Sequence, residues 1–275
     1  MNDDGLPELS ERASYYLNPQ SSDLALVTDV QGFPAHRFIV CRQSRFLSRA
    51  ANQKHTPYPM EGATKPIYLR HTAPYLLTKV LEYLYKGDYT FTTSTILTAI
   101  DKGLLRDNSA VVPTPDTNPP TAAGKDALAH RYVACFHAKM YAQAEYFLIE
   151  GLQTLAAHRF STALWALRQD EDGFAAAMAE LYDRRSWNYV RLHQRIVSEL
   201  LHNQAIYRAG PGLKGKGLTP QLLEHVPCLG RDLAFVAMDE VMRLRRRLGA
   251  AEQALKAVLE EDDEDLREKK ARSSG

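Results

Sequence analysis

The sequence predicts an α+β protein: a small three-stranded sheet flanked by helices, followed by an all-helical extension. Three observations carry this. Short apolar runs bounded by turn residues recur before residue 70. A capped amphipathic helix follows at 71–89. From Leu128 onward the apolar residues recur at helical spacing.

Taken in order, residues 1–18 read as a tail with a short helix. "DLALVTD" (23–29) places Leu24 to Val27 between acids and reads as a strand. Gly32 supplies a turn, Phe33 starts a second strand, and the two form a hairpin. From about Val40 the pattern becomes helical, and Ser44 is a candidate cap for "SRFLSRAA" (44–51). The stretch 52–66 is turn-rich, and "IYL" (67–69) is a third strand. In the helix at 71–89, Thr72 is positioned to cap and Pro74 suits the first turn, where N–H groups have no intrahelical partner. Leu77, Val80, Leu81 and Leu84 share a face, and Gly87 offers a left-handed stop.

Residues 92–126, rich in Pro, Thr and Asp, predict a disordered insertion. Helix resumes near Leu128 and runs to residue 160, with a break expected at Gly151. Further helical blocks fall at 160–168, 173–183, 188–207, 220–229 and 231–258, and Thr219 with Pro220 makes a helix start. The domains expected are therefore a tail (1–18), a first domain (19–160), a helical extension (161–258) and a charged disordered tail (259–275).

Charge excludes some partners. Lys and Arg number 34 against 33 Asp and Glu, a net charge of +1 that draws neither nucleic acid nor an anionic membrane. The three cysteines are widely spaced and form no CxxC, which argues against a disulfide framework or structural zinc. The polar start is unlike a secretory signal, and no run approaches the ~20 apolar residues needed to span a bilayer. The expectation is a soluble protein of the cytoplasm, the nucleus or both.

Several motifs suggest chemistry and do not sustain it. "GPGLKG" (210–215) has the spacing of a phosphate loop, but the segment before it is helical and not a strand. His130, Cys135 and His137 are spaced so that they do not share one helical face. "MRLRRRL" (242–248) reads as a solvated helix face, with a nuclear-import signal or an acidic-partner site as alternatives. No nucleophile or metalloprotease motif occurs, so no enzyme, cofactor or metal is expected.

Asp23 and Leu24 in the first strand, "FPAHRFIVCRQSRFL" (33–47), "APYLLTKVLEYLYKGDY" (73–89) and "HAKMYAQAEYFLIEGL" (137–152) resemble the BTB/POZ domain, and "FAAAMAELY" (174–182) with "VRLHQRIVSELL" (190–201) resembles the helical extension that usually follows it. The form is similar to that of filamentous-fungal BTB proteins, in which a proline-rich insertion separates the last two BTB blocks. The resemblance implies a protein–protein interaction protein that self-associates and scaffolds, with a homodimer as its expected state. It also implies that Asp23 and Arg37, with His36 between them in the fold, line a charged pocket near the dimer interface. The plainer reading is an Asp–Arg pair that only orients the hairpin. The alternative function is a substrate adaptor of a cullin-based ubiquitin ligase. In that case Tyr75, Leu77, Thr78 and Lys79 are the residues expected to face the cullin. Lys79 stands where the resembling adaptors carry an acid, which reverses a charge at that contact.

Overall fold

The computed structural model describes residues 6–52, 65–105, 122–183, 189–208 and 215–273. Strand β1 (Leu24–Val27) pairs antiparallel with β2 (Gly32–Ala35), Leu24 opposite Ala35 and Val27 opposite Gly32. Thr28 closes the hairpin: its Oγ donates to the Gln31 carbonyl at 2.9 Å and accepts the Gln31 N–H at 3.1 Å. On the other side β1 pairs in parallel with β3 (Lys65–Tyr68), giving the order β2-β1-β3. The period of two sets the faces: Leu24 and Leu26, Phe33 and Ala35, and Ile67 all point into the core.

A parallel pair needs a crossover, and α2 (Arg37–Gln43) and α3 (Arg45–Asn52) lie within it. Helix α2 starts three residues before the expected Val40. Its first N–H, that of Arg37, is taken by the Asp23 carboxylate at 2.8 Å from across the hairpin, a cap that local periodicity does not reveal. Ser44 does cap α3: its Oγ accepts the Leu47 N–H at 3.0 Å and donates to the Phe147 carbonyl at 2.6 Å.

The segment expected as a tail is packed from Leu6 on. Helix α1 (Leu9–Ser14) lies against α4 (Pro74–Lys86), with Leu6 and Arg12 buried. Pro74 begins α4 and Gly87 ends it at φ 74°, its N–H bonding the Tyr83 carbonyl at 2.7 Å. Thr72 does not cap it. Ala73 occupies the cap position without a side-chain bond, and Thr72 is buried one residue earlier with its N–H on Leu69.

The expected insertion is corrected over its first part. Thr92 caps a helix, α5 (Thr93–Asp101), by accepting the Thr95 N–H, and Ile96, Ala99 and Leu105 enter the core. A short apolar face inside a Thr-rich run was enough to pack. Residues 106–121 lie outside the described residues.

Helices α6 (Ala122–Phe147) and α7 (Glu150–Ala166) break at Leu148, whose φ is 54°, and not at Gly151. Gly151 lies inside α7, where a Cβ would press against the Tyr83 hydroxyl. A 3-10 turn (Leu167–Gln169) leads to α8 (Glu171–Leu181), capped by Asp170. Then come α9 (Val190–His202), α10 (Gln204–Tyr207), α11 (Pro220–His225) and α12 (Pro227–Ser273). Thr219 caps α11 as expected, accepting the Leu222 N–H at 3.1 Å.

Buried residues from Leu24 to Leu229 form one contiguous core. The boundary expected at 160/161 falls inside α7, where Phe160 and Leu164 are both buried. The charged segment 259–275 is helical as far as Ser273, as the continuation of α12. Among the described residues no helix is long and apolar enough to cross a membrane.

Candidate functional site

The site is the junction where β2 turns into α2. The hairpin register sets Leu24 opposite Ala35, so the residues just outside it, Asp23 and His36–Arg37, come together. Their bonding differs from a paired pocket. Asp23 accepts the Arg37 backbone N–H at 2.8 Å. The Arg37 guanidinium turns to the last turn of α3, donating to the Ala51 carbonyl at 3.3 Å and the Asn52 Oδ1 at 2.8 Å. Each charge thus sits at the helix end its sign favours, the carboxylate at the start of α2 and the cation at the end of α3. Among the described residues these two side chains form no ion pair.

His36 is fully buried. The Tyr85 hydroxyl lies 2.9 Å from both the His36 backbone N and Nδ1, and Nε2 lies 3.0 Å from the Gln20 carbonyl. One assignment satisfies all three contacts. The backbone N–H donates to the Tyr85 oxygen, the Tyr85 O–H donates to Nδ1, and Nε2–H donates to Gln20. The imidazole so enclosed ties the segment after α1, the hairpin and α4 together. Burial pushes the Tyr85 phenol up to about 12, so it stays a hydroxyl throughout the physiological range.

Above this buried histidine lies an aromatic surface. Phe38 is 42% exposed although it belongs to the apolar run of α2. The Tyr15 ring meets Phe38 edge-on at 5.6 Å and His36 at 5.0 Å. Nothing in the sequence signals Gln20 or the approach of Tyr85 to His36. Only Phe38 had a readable signal, being the first of four apolar residues on a helix whose inner face needs two, Ile39 and Val40.

The candidate cullin-facing residues are differently placed. Leu77 is fully buried in the core. The Tyr75 hydroxyl donates to the Thr95 carbonyl of α5 at 2.9 Å, and Thr78 bonds back to the Pro74 carbonyl at 3.0 Å. Lys79 donates to the Glu82 carboxylate at 2.9 Å and to the Thr90 hydroxyl. Side-chain exposures of 12% and 8% make Lys79–Glu82 a nearly buried pair. Burial pushes the Glu82 carboxyl up, but the Lys79 and Thr90 bonds outweigh it and hold it below its ordinary range.

His130, Cys135 and His137 do not converge on one site. His130 is exposed and Cys135 is buried. The His137 Nδ1 meets the Tyr89 hydroxyl at 2.9 Å. Arg159 lies over the Tyr89 and Phe91 rings at 4.5 Å and bonds the Tyr89 carbonyl and Asp88. Burial, with the Arg159 charge, pushes His137 down to about 3, so it is a neutral core residue. Among the described residues no three His, Cys, Asp or Glu side chains are grouped to hold a metal. Of the "GPGLKG" motif, residues 210–214 lie outside the described residues.

A small mixed sheet packed among helices, with an aromatic–polar surface at its strand–helix junction, makes an α+β fold. Residues 14–104, from within α1 through α5, match the family model of the BTB/POZ domain. The chain carries a BTB/POZ domain, a protein–protein interaction module, followed by a helical extension. A search of curated proteins gave no match.

Proposed function

We propose that this protein self-associates through the face formed by Tyr15 and Phe38 beside the Asp23–His36–Arg37 junction, and that it scaffolds other proteins. The observation that carries the reading is the exposed Phe38 ring, braced by Tyr15 over a rigid, fully bonded histidine. A large aromatic held in one orientation loses little entropy on burial, which is what interface anchors have in common. Cytoplasm or nucleus is the location this role suits.

Nothing favours a cullin contact through Tyr75–Lys79. Leu77 is interior, and Tyr75 and Lys79 are committed to α5 and Glu82. Burial of Tyr15–Phe38 is measurable in place. Hydrogen exchange of the full chain over a dilution series should show protection at residues 13–20 and 36–42 rising with concentration. Phe38→Asp should abolish that rise with the fold unchanged by circular dichroism. Protection at these residues that is independent of concentration in the wild type would overturn the proposal.

A further inference from the structure

The second half of α12 departs from the rest of the molecule. Leu229 is fully buried and Leu233 and Val236 still touch the core, but beyond residue 240 large apolar side chains stand in solvent. Val241, Leu244, Leu248, Ala251, Leu255 and Val258 follow one another at intervals of three and four residues, and all are exposed, Leu248 by 60%. That spacing is the heptad: Val241, Leu248 and Leu255 at a, Leu244, Ala251 and Val258 at d. Phe235, Met238 and Met242 are exposed beside this register at b and e positions, but the a and d positions by themselves form an unbroken apolar seam. Ala234 and Ala237 carry the same register one heptad upstream.

The residues flanking the seam identify the partner. Glu240 and Arg247 occupy successive g positions, and Arg245 and Glu252 the e positions that follow them. In a parallel pair of identical helices each g residue faces the partner's e residue five positions on. Glu240 then meets the partner's Arg245, and Arg247 meets the partner's Glu252. Both contacts are complementary, and the two-fold symmetry makes each occur twice. The third such contact, Ala254 with Leu259, is apolar and extends the seam. The outward f positions are Asp239, Arg246 and Gln253, all polar. In the single chain Glu240 is held by Arg243 at 2.6 Å on the exposed helix surface, a contact cheaply exchanged for another.

We propose that residues 241–259 of α12 form a parallel two-stranded coiled coil with a second copy of this chain. Burial of the seam also accounts for a long helix outside the core that contains Gly249, whose helix propensity is about 1 kcal/mol poorer than alanine's. This contact is independent of the Tyr15–Phe38 face, and either can operate without the other.

The test uses the full chain and a readout confined to α12. Under mild oxidation the Leu244→Cys chain should become mostly disulfide-linked dimer, because identical d positions adjoin in a parallel coil. Arg246→Cys, on the outer face, and the wild type with its native cysteines should give at least fivefold less. Arg247→Glu should lower the dimer yield of Leu244→Cys at limiting concentration about tenfold, and adding Glu252→Arg should restore it. A Leu244→Cys yield no higher than that of Arg246→Cys overturns the proposal. So does linkage found only when Leu244→Cys chains are mixed with Leu255→Cys chains, which marks antiparallel pairing. Hydrogen exchange at residues 13–20 and 36–42 reads the other face separately.

Discussion

Lys79→Glu is the substitution whose consequence the structure most changes. The sequence alone suggests a harmless surface charge, even one that restores a partner contact. In the fold, Glu82 is nearly buried and accepts Lys79 Nζ at 2.9 Å, the Thr90 N–H at 3.2 Å and the Thr90 hydroxyl at 3.1 Å, with Lys86 Nζ at 3.7 Å. Removing one partner of a buried pair costs roughly 3–5 kcal/mol, because the other charge is left uncompensated. Thr90 and Lys86 remain, which pulls the estimate to the low end. A second carboxylate in place of the ammonium returns part of it, since like charges 4 Å apart repel by about 4 kcal/mol at the effective dielectric of a protein surface. The expected loss is about 3 kcal/mol for Lys79→Glu. Lys79→Met, which keeps the stem and adds no second carboxylate, should lose less. At roughly 2–4 °C per kcal/mol for a chain of this size, Lys79→Glu should melt about 6–12 °C lower. Urea unfolding followed by far-UV circular dichroism gives the free energies directly. Equal midpoints for wild type and Lys79→Glu would mean that Glu82 is solvated, and the argument would fail.

Acid should weaken the fold through His137. Its folded value of about 3 lies below its ordinary 6.5, so the unfolded chain binds the extra proton and stability is lost as pH falls from about 6.5 toward 3. The slope contributed is up to ~1.4 kcal/mol per pH unit, and His137→Gln should flatten it in urea titrations at pH 7, 6 and 5. Ile96→Ala should cost about 2–4 kcal/mol, the range for truncating a core aliphatic, although Ile96 lies in a stretch that composition marks as an insertion. A loss below about 0.5 kcal/mol would return α5 to that status. Asp23→Ala removes the cap of α2 and should cost about 1 kcal/mol, with Asp23→Asn retaining most of it, as read by thermal melts.

Elements with a local cause were legible in the sequence. The hairpin followed from two apolar runs and a glycine turn, α4 from its period, its Pro74 start and its Gly87 stop, and the starts of α3 and α11 from Ser44 and Thr219. In each case the residues that decide lie within a few positions of the element they decide. Partners distant in the chain were decided only by the tertiary structure. Asp23 starts α2 from across a hairpin, Tyr85 and Gln20 enclose His36, and Gly151 lies within α7 against the Tyr83 hydroxyl instead of at a helix break. Composition misjudged residues 92–105 because Ile96, Ala99 and Leu105, with Leu97 and Ile100 packed beside them, outweigh a polar average once a core is there to receive them. The sequence by itself determined which segments are amphipathic. The tertiary structure decided which amphipathic faces are covered, since burial belongs to pairs of surfaces and not to a segment. By that measure Leu77 is interior, Phe38 is not, and the heptad of α12 is exposed.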